Sequence, residues 1–264
     1  MKEKPAPKIF VRNPIKGTKY TVMVSSAKGG VGKSTFAVNL AFALKQLGKK
    51  VGLLDADIYG PSLPKLIGKN EKPENKDGKY IVPIDSHGVQ CMSMGFLVEE
   101  TTPMIWRGPM VISAIKTLTE RVLWKDLDII VIDMPPGTGD TQLTFAQDIK
   151  VDGAIIISTP QDIALLDVKR GIQMFDKTKI NIFGLIDNMS FFKGDDGKNY
   201  NIFGEGGVEK TAKEFNKDFL GKIPLQQDLR ISADKGVPLT LSDTKHEISI
   251  VFKEIAEKIL KKLN

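Results

Sequence analysis

A single cysteine, Cys91, stands in the 264-residue chain. One thiol excludes an intrachain disulfide and any C-x-x-C metal knuckle. No apolar run approaches the roughly 20 residues that a membrane-spanning helix needs, and Met1-Lys2-Glu3-Lys4-Pro5 lacks the apolar core of a secretory signal. The expected location is cytoplasmic, without stable membrane association. Arginine is scarce as well, being confined to Arg12, Arg107, Arg121, Arg170 and Arg230, so the net charge of +6 rests largely on scattered lysines. Without an arginine-and-aromatic cluster, this is a solvated basic surface and nucleic acid is not an expected partner. There is no internal repeat and no linker that would divide the chain, and a hydrophobic content of 41% is enough for one sizeable core.

What is present is an alternation. Residues 1–19, rich in Lys and Pro, read as a flexible arm, and residues 20–264 read as one domain. Short β-branched runs at 21–25, 51–55, 89–94, 129–133, 154–158, 182–187 and 219–225 are predicted strands. Helical patterns occupy 33–47, 110–124, 161–177, 207–217 and 247–263. Runs such as Ile129-Ile130-Val131-Ile132 are apolar on both faces, which suits a parallel sheet covered on both sides. Asp77-Gly78 predicts a hairpin excursion within 69–88, and Gly48 a left-handed cap on the first helix. The fold class is α/β: a single doubly wound, three-layer α/β/α domain with a mainly parallel sheet, its site at the carboxyl ends of the strands.

The chemistry concentrates in Ser25-Ser26-Ala27-Lys28-Gly29-Gly30-Val31-Gly32-Lys33-Ser34-Thr35, between the first strand and the first helix. Glycines let backbone N–H groups close around phosphate oxygens, and the helix N-terminus adds positive potential. Lys33 is placed to reach β/γ-phosphates and the Ser34 hydroxyl to bind Mg²⁺, as in a P-loop. The ligand-binding set is Lys28, Gly29, Gly30, Val31, Gly32, Lys33, Ser34 and Thr35, and the ligands are ATP and Mg²⁺. Two acids follow apolar strands. Asp57, in Asp55-Ala56-Asp57-Ile58-Tyr59-Gly60-Pro61-Ser62, suits the attacking water beside a γ-phosphate; Asp133, before Met134-Pro135-Pro136-Gly137-Thr138-Gly139-Asp140, suits Mg²⁺, directly or through water. Lys28, Lys33, Asp57 and Asp133 are the candidate catalytic residues, and Ser34, Asp57 and Asp133 the candidate metal ligands. No residue reads as a strong general base, so slow hydrolysis is expected. Asn188 follows a predicted strand and suits either a purine contact or a turn cap. The run Gly204-Glu205-Gly206-Gly207 reads as a turn capping the next helix rather than as a second nucleotide loop.

Lys28 ahead of the glycines, with Ala27 where the first glycine would be, resembles the deviant P-loop of the dimeric ATPases that include MinD, ParA and the Mrp carriers. In that class the extra lysine reaches the partner's nucleotide. Met92-Ser93-Met94-Gly95-Phe96, Ile105-Trp106-Arg107-Gly108-Pro109-Met110, Asn188-Met189-Ser190, Ile202-Phe203-Gly204 and Gly221-Lys222-Ile223-Pro224-Leu225, with the acidic motifs above, are similar to the Mrp/ApbC family across residues 20–242. The resemblance implies a homodimeric ATPase that carries iron–sulfur clusters to apoprotein clients or works with cluster-assembly proteins. It favours the base contact for Asn188. The extra N-terminal domain of many members has no counterpart in this sequence. After Asn-Met-Ser the family usually places a C-x-x-C pair for the cluster; here Gly194 and Gly197 occupy those places, flanking Asp195 and Asp196. The chain by itself is therefore expected not to hold a stable four-iron cluster, because such clusters take thiolate ligands. Two other functions stay open. A MinD/ParA-type positioning ATPase would use the apolar stripe Ile248, Val251, Phe252, Ile255, Ile259 and Leu263, flanked by Lys253, Lys258, Lys261 and Lys262, on a membrane or nucleoid, although the same stripe reads as a helix packed on the sheet. A nucleotide-dependent scaffold would bind without hydrolysis.

Overall fold

The computed structural model describes residues 12–98 and 108–263. In chain order its elements are β1 (Thr18–Ser25), α1 (Lys33–Gln46), β2 (Val51–Asp55), α2 (Leu63–Leu66), β3 (Asn75–Lys76), β4 (Tyr80–Ile81), β5 (Ile84–Ser86) and β6 (Val89–Ser93). There follow α3 (Gly108–Glu120), β7 (Leu127–Asp133), α4 (Asp140–Asp148), β8 (Gly153–Ser158), α5 (Asp162–Lys177), β9 (Ile182–Lys193) and β10 (Asn199–Tyr200). The last are α6 (Gly207–Glu214), β11 (Phe219–Leu225), α7 (Gln227–Lys235), α8 (Leu239–Ser242) and α9 (Glu247–Leu263).

Nine strands form one sheet in the order β10-β9-β8-β1-β7-β2-β6-β5, with β11 also paired to β9. Parallel pairing runs from β11 through β9, β8, β1, β7 and β2 to β6, and β5 and β10 are antiparallel additions. Successive strand residues face opposite sides. Val22, Val24, Leu53, Val131, Ile155 and Ile157 join α1 and α9 in one core; Met23, Leu54, Ile130, Ile132 and Ile156 join α3, α4 and α5 in the other. This is the expected three-layer fold, and it explains why the central strands are apolar throughout.

Several boundaries differ from the sequence reading for identifiable reasons. Ile15 is buried, Asn13 bridges to Ile149, and β1 starts at Thr18, so residues 12–19 are built into the domain rather than forming part of an arm. Residues 1–11 of that arm, and Ile105-Trp106-Arg107, lie outside the described residues. The helix expected to reach 124 stops at Glu120, because Ile81 exchanges backbone hydrogen bonds with Arg121 and Leu123. The β3–β4 hairpin that delivers Ile81 turns on Asp77 and Gly78, both at positive φ, as expected. Strand β9 runs six residues past the expected Asp187, carried by β11 alongside and β10 beyond. Helices α4 and α7 were not legible: DTQLTFAQD and QDLRISADK have too few apolar residues to show a helical period.

The C-terminal stripe packs inward. Ile248, Phe252, Ile255 and Ile259 are buried, and Phe252 lies 5.5 Å from the Phe36 ring of α1. Lys258 donates to the Leu220 carbonyl (2.7 Å) and Lys262 pairs with Asp218. Among the described residues no helix is long and apolar enough to cross a membrane. Cys91 sits fully buried in β6, and burial pushes its thiol pKa up, so it packs as a small apolar residue.

Candidate functional site

The loop between β1 and α1 turns on Gly30 and Gly32, both left-handed at φ +79° and +82°. Gly32 is also the residue before α1, and a Cβ there would lie 2.4 Å from Asn188 Nδ2. Only glycine satisfies both conditions. Asn188 Nδ2 donates to the Val31 carbonyl at 2.7 Å, so Asn188 braces the loop from β9. On the other flank, Gly137 N–H donates to the Ser26 carbonyl (2.9 Å).

Beneath the loop lies a charged row. Register places Asp55 beside Asp133 on one side and beside Ser93 on the other. Lys33, 7% exposed, reaches down from α1 and forms a buried ion pair with Asp133 while approaching Ser34 Oγ at 3.3 Å. Asp55, 2% exposed, has its pKa pushed up to about 7 by burial and then by the Asp133 charge, against hydrogen bonding and Lys33. Asp57 is half-buried; burial raises its pKa and Lys33 opposes the rise. Its Oδ1 accepts from Gly60 N–H at 3.2 Å. A cavity of about 330 Å³ opens between the Asp57 loop and the loop after β7, lined by Asp57, Tyr59, Pro135, Pro136, Thr141 and Gln142.

The structure thus brings together Lys33, Ser34, Asp57, Asp133 and Asn188. Lys28 is placed apart: it is exposed and its ammonium makes no ion pair among the described residues. Three supporting residues escaped sequence reasoning. Gln142, buried in α4, donates to the Pro135 carbonyl and meets Ser25 Oγ at 3.4 Å, tying the end of β1 to the loop after β7. Asp55 and Ser93 belong to recognised motifs, but only strand register shows that they are neighbours.

At the far end of β9 the hairpin to β10 turns through residues 194–198. Gly197 has φ +75° and Gly194 does not; at Gly194 the constraint is space, since a Cβ there would lie 2.7 Å from Tyr200 Cε2. Asp196 accepts from Lys198 N–H (3.0 Å) and from the Tyr200 hydroxyl (2.9 Å), which hold its carboxyl below the ordinary range. Among the described residues no group of three or more His, Cys, Asp or Glu could hold a metal ion.

Fold and loop together define a P-loop nucleotide-binding protein. The ParA family profile described as the NUBPL iron-transfer P-loop NTPase matches residues 17–260. The iron–sulfur cluster carrier protein of Escherichia coli K12 is 47% identical over 251 residues, covering 94% of this chain and 68% of its own length. A nucleotide-binding protein from Archaeoglobus fulgidus, solved in complex with ADP, is 36% identical with TM-score 0.74, over 84% of this chain and 88% of that one. MinD of Aquifex aeolicus superimposes with TM-score 0.64 over 92% of this chain and 98% of its own, at 21% identity, which is a likeness of fold alone. The chain belongs to the NUBPL/Mrp family of iron-transfer P-loop NTPases.

Proposed function

We propose that this protein is a homodimeric, Mg-ATP-binding P-loop ATPase that hydrolyses slowly and serves the delivery of iron–sulfur clusters to client proteins in the cytoplasm. The observation that carries the ATPase reading is the buried Lys33–Asp133 pair directly under the glycine loop. A lysine and a carboxylate held out of water neutralise each other, and both are the groups that Mg-ATP would engage. Phosphate oxygens would take the place of Asp133 on Lys33, and Asp133 would then be available to hold Mg²⁺. Ser34 Oγ and Asp133, with Asp57 through water, are hard oxygen donors of the kind Mg²⁺ prefers. Mg²⁺ would supply charge neutralisation at the phosphoryl oxygens. Asp57 orients the attacking water in the cavity, and Lys28, whose ammonium makes no ion pair among the described residues, extends to the nucleotide of the second subunit. Asn188 keeps its Oδ1 for the base while its Nδ2 holds Val31.

The cluster is cargo, and the likeness to the iron–sulfur cluster carrier protein of Escherichia coli supports that part of the reading. The 194–198 turn is a poor holder for it: of its two acids Asp196 already accepts two local hydrogen bonds, and it carries no thiol. Thiolates from a client or assembly partner would complete the ligand set. A membrane-positioning role is disfavoured because the apolar stripe of α9 is spent on the core. Phosphate release from Mg-ATP by the purified protein tests the ATPase, and its absence with intact ATP binding would make the chain a scaffold. Sedimentation with and without ATP tests the dimer.

A further inference from the structure

We infer that Ser93 and Gly95 are positioning residues for hydrolysis, acting through Asp55 to fix the loop that carries Asp57; this rests on the ATPase reading above. Two sequence motifs that lie 30 residues apart form one structural unit here. Asp55 Oδ2 accepts from Ser93 Oγ (3.0 Å), Ser62 N–H (3.0 Å) and Leu63 N–H (3.1 Å), and Oδ1 accepts from Asp57 N–H (3.0 Å). One carboxylate therefore takes backbone donors from both ends of the 57–63 loop and closes it on itself. Ser93 is fully buried, and its oxygen accepts from Gly95 N–H at 3.0 Å, which leaves its proton for Asp55.

Gly95 supplies the second half of the latch. A Cβ at Gly95 would lie 2.9 Å from Pro64 Cγ and 3.2 Å from Pro61 Cβ. Pro61 sits in the Asp57 loop and Pro64 in α2, so the bare backbone after β6 is the flat surface against which both prolines seat. Asp57 adds its own bond to Gly60 N–H, so its carboxylate moves with the loop. The glycine loop shares none of these contacts; its braces come from Asn188 and Gly137. Disturbing the latch should therefore shift Asp57 and leave phosphate binding alone.

Full-length Ser93→Ala and Gly95→Ala proteins test this through steady-state hydrolysis, nucleotide affinity measured separately with a fluorescent ATP analogue, and amide exchange of the 55–66 segment. The expected result is a kcat about 10- to 100-fold lower, the size of effect that a ~1 Å misplacement produces. Nucleotide Kd should stay within about twofold of wild type, the signature of an interaction used in turnover rather than in binding. Exchange at Asp57, Ser62 and Leu63 should quicken in Ser93→Ala. Pro64→Ala removes the nearest clash, so Gly95→Ala/Pro64→Ala should recover most of the kcat lost in Gly95→Ala. Parallel loss of affinity and turnover, without recovery in the double variant, would mean general damage and overturn the inference. Wild-type kcat in both single variants would overturn it too, as would unaltered exchange in Ser93→Ala. A wild-type protein that releases no phosphate refutes the ATPase reading itself and takes the positioning role with it, so the two failures are separable.

Discussion

Lys33→Ala is the perturbation whose consequences are most fully specified by the structure. Lys33 and the Asp133 side chain are 7% and 5% exposed, and Asp55, at 2%, lies beside Asp133 in register. Removing the ammonium leaves two buried carboxylates facing each other without a counter-charge. Breaking one partner out of a buried pair costs about 3–5 kcal/mol, so the nucleotide-free variant should be less stable by that order at pH 8. The penalty must depend on pH. Asp55 already sits at about 7, raised above its unfolded value, and loses the Lys33 charge that holds it down. A carboxyl raised in the folded state takes up a proton more readily there than in the unfolded chain, so stability falls as pH rises through its folded pKa. At pH 5.5 Asp55 is protonated and part of the repulsion is gone. With 1.36 kcal/mol per pH unit for one group, the penalty should shrink by about 1–2 kcal/mol between pH 8 and pH 5.5. Denaturant unfolding at the two pH values measures both numbers. Nucleotide affinity should fall at least about thirtyfold, the lower end for truncating one side of a desolvated charge pair. An equal penalty at both pH values would refute the account of the buried row, and unchanged ATP affinity would refute the assignment of the loop.

Lys28→Ala should keep nucleotide affinity and lose most hydrolysis; full turnover by that variant, or by protein that sediments as a monomer, counts against a shared site. Anaerobic reconstitution with iron and sulfide should leave no persistent charge-transfer absorbance after desalting, because Cys91 is fully buried with its thiol pKa raised and the 194–198 turn offers no sulfur; about four irons per dimer, lost in Cys91→Ser, would reverse that expectation. Asp187 is buried, its Oδ1 has no hydrogen-bond partner among the described residues, and its pKa is pushed up to about 6 by burial, eased by Lys222 and aggravated by Glu209. Its charged form costs on the order of 3 kcal/mol above that pH, so Asp187→Asn should raise the melting midpoint by about 6–12 °C at pH 8 and by much less at pH 4.5; the same gain at both pH values would sink the explanation.

The parts of the molecule that were legible in the sequence are those where one local rule settles the matter. The two-sided apolar runs Ile129–Ile132 and Ala154–Ile157, short and β-branched, suit a covered parallel sheet, and β7 and β8 are both central in it. The glycine loop is legible because its geometry is local: Gly30 and Gly32 need positive φ whatever surrounds them. The supports of the site are not local. Asp55 and Ser93 meet only because β2 and β6 are parallel and in register, and nothing in either motif states that register. Gln142 stands in a helix too polar to be read, yet its side chain is buried by the two loops it joins. Asn188 was legible as important and less so as to why: β9 continues through it, Met189 takes φ 54°, and its amide turns onto the glycine loop. The 194–198 turn reverses the pattern. There the sequence announces what is missing, two thiols, and the structure shows what stands in their place. Gly194 makes room for Tyr200, and Tyr200 and Lys198 hold Asp196, so the turn closes by its own hydrogen bonds. A turn that closes on its own hydrogen bonds needs no metal to hold its shape.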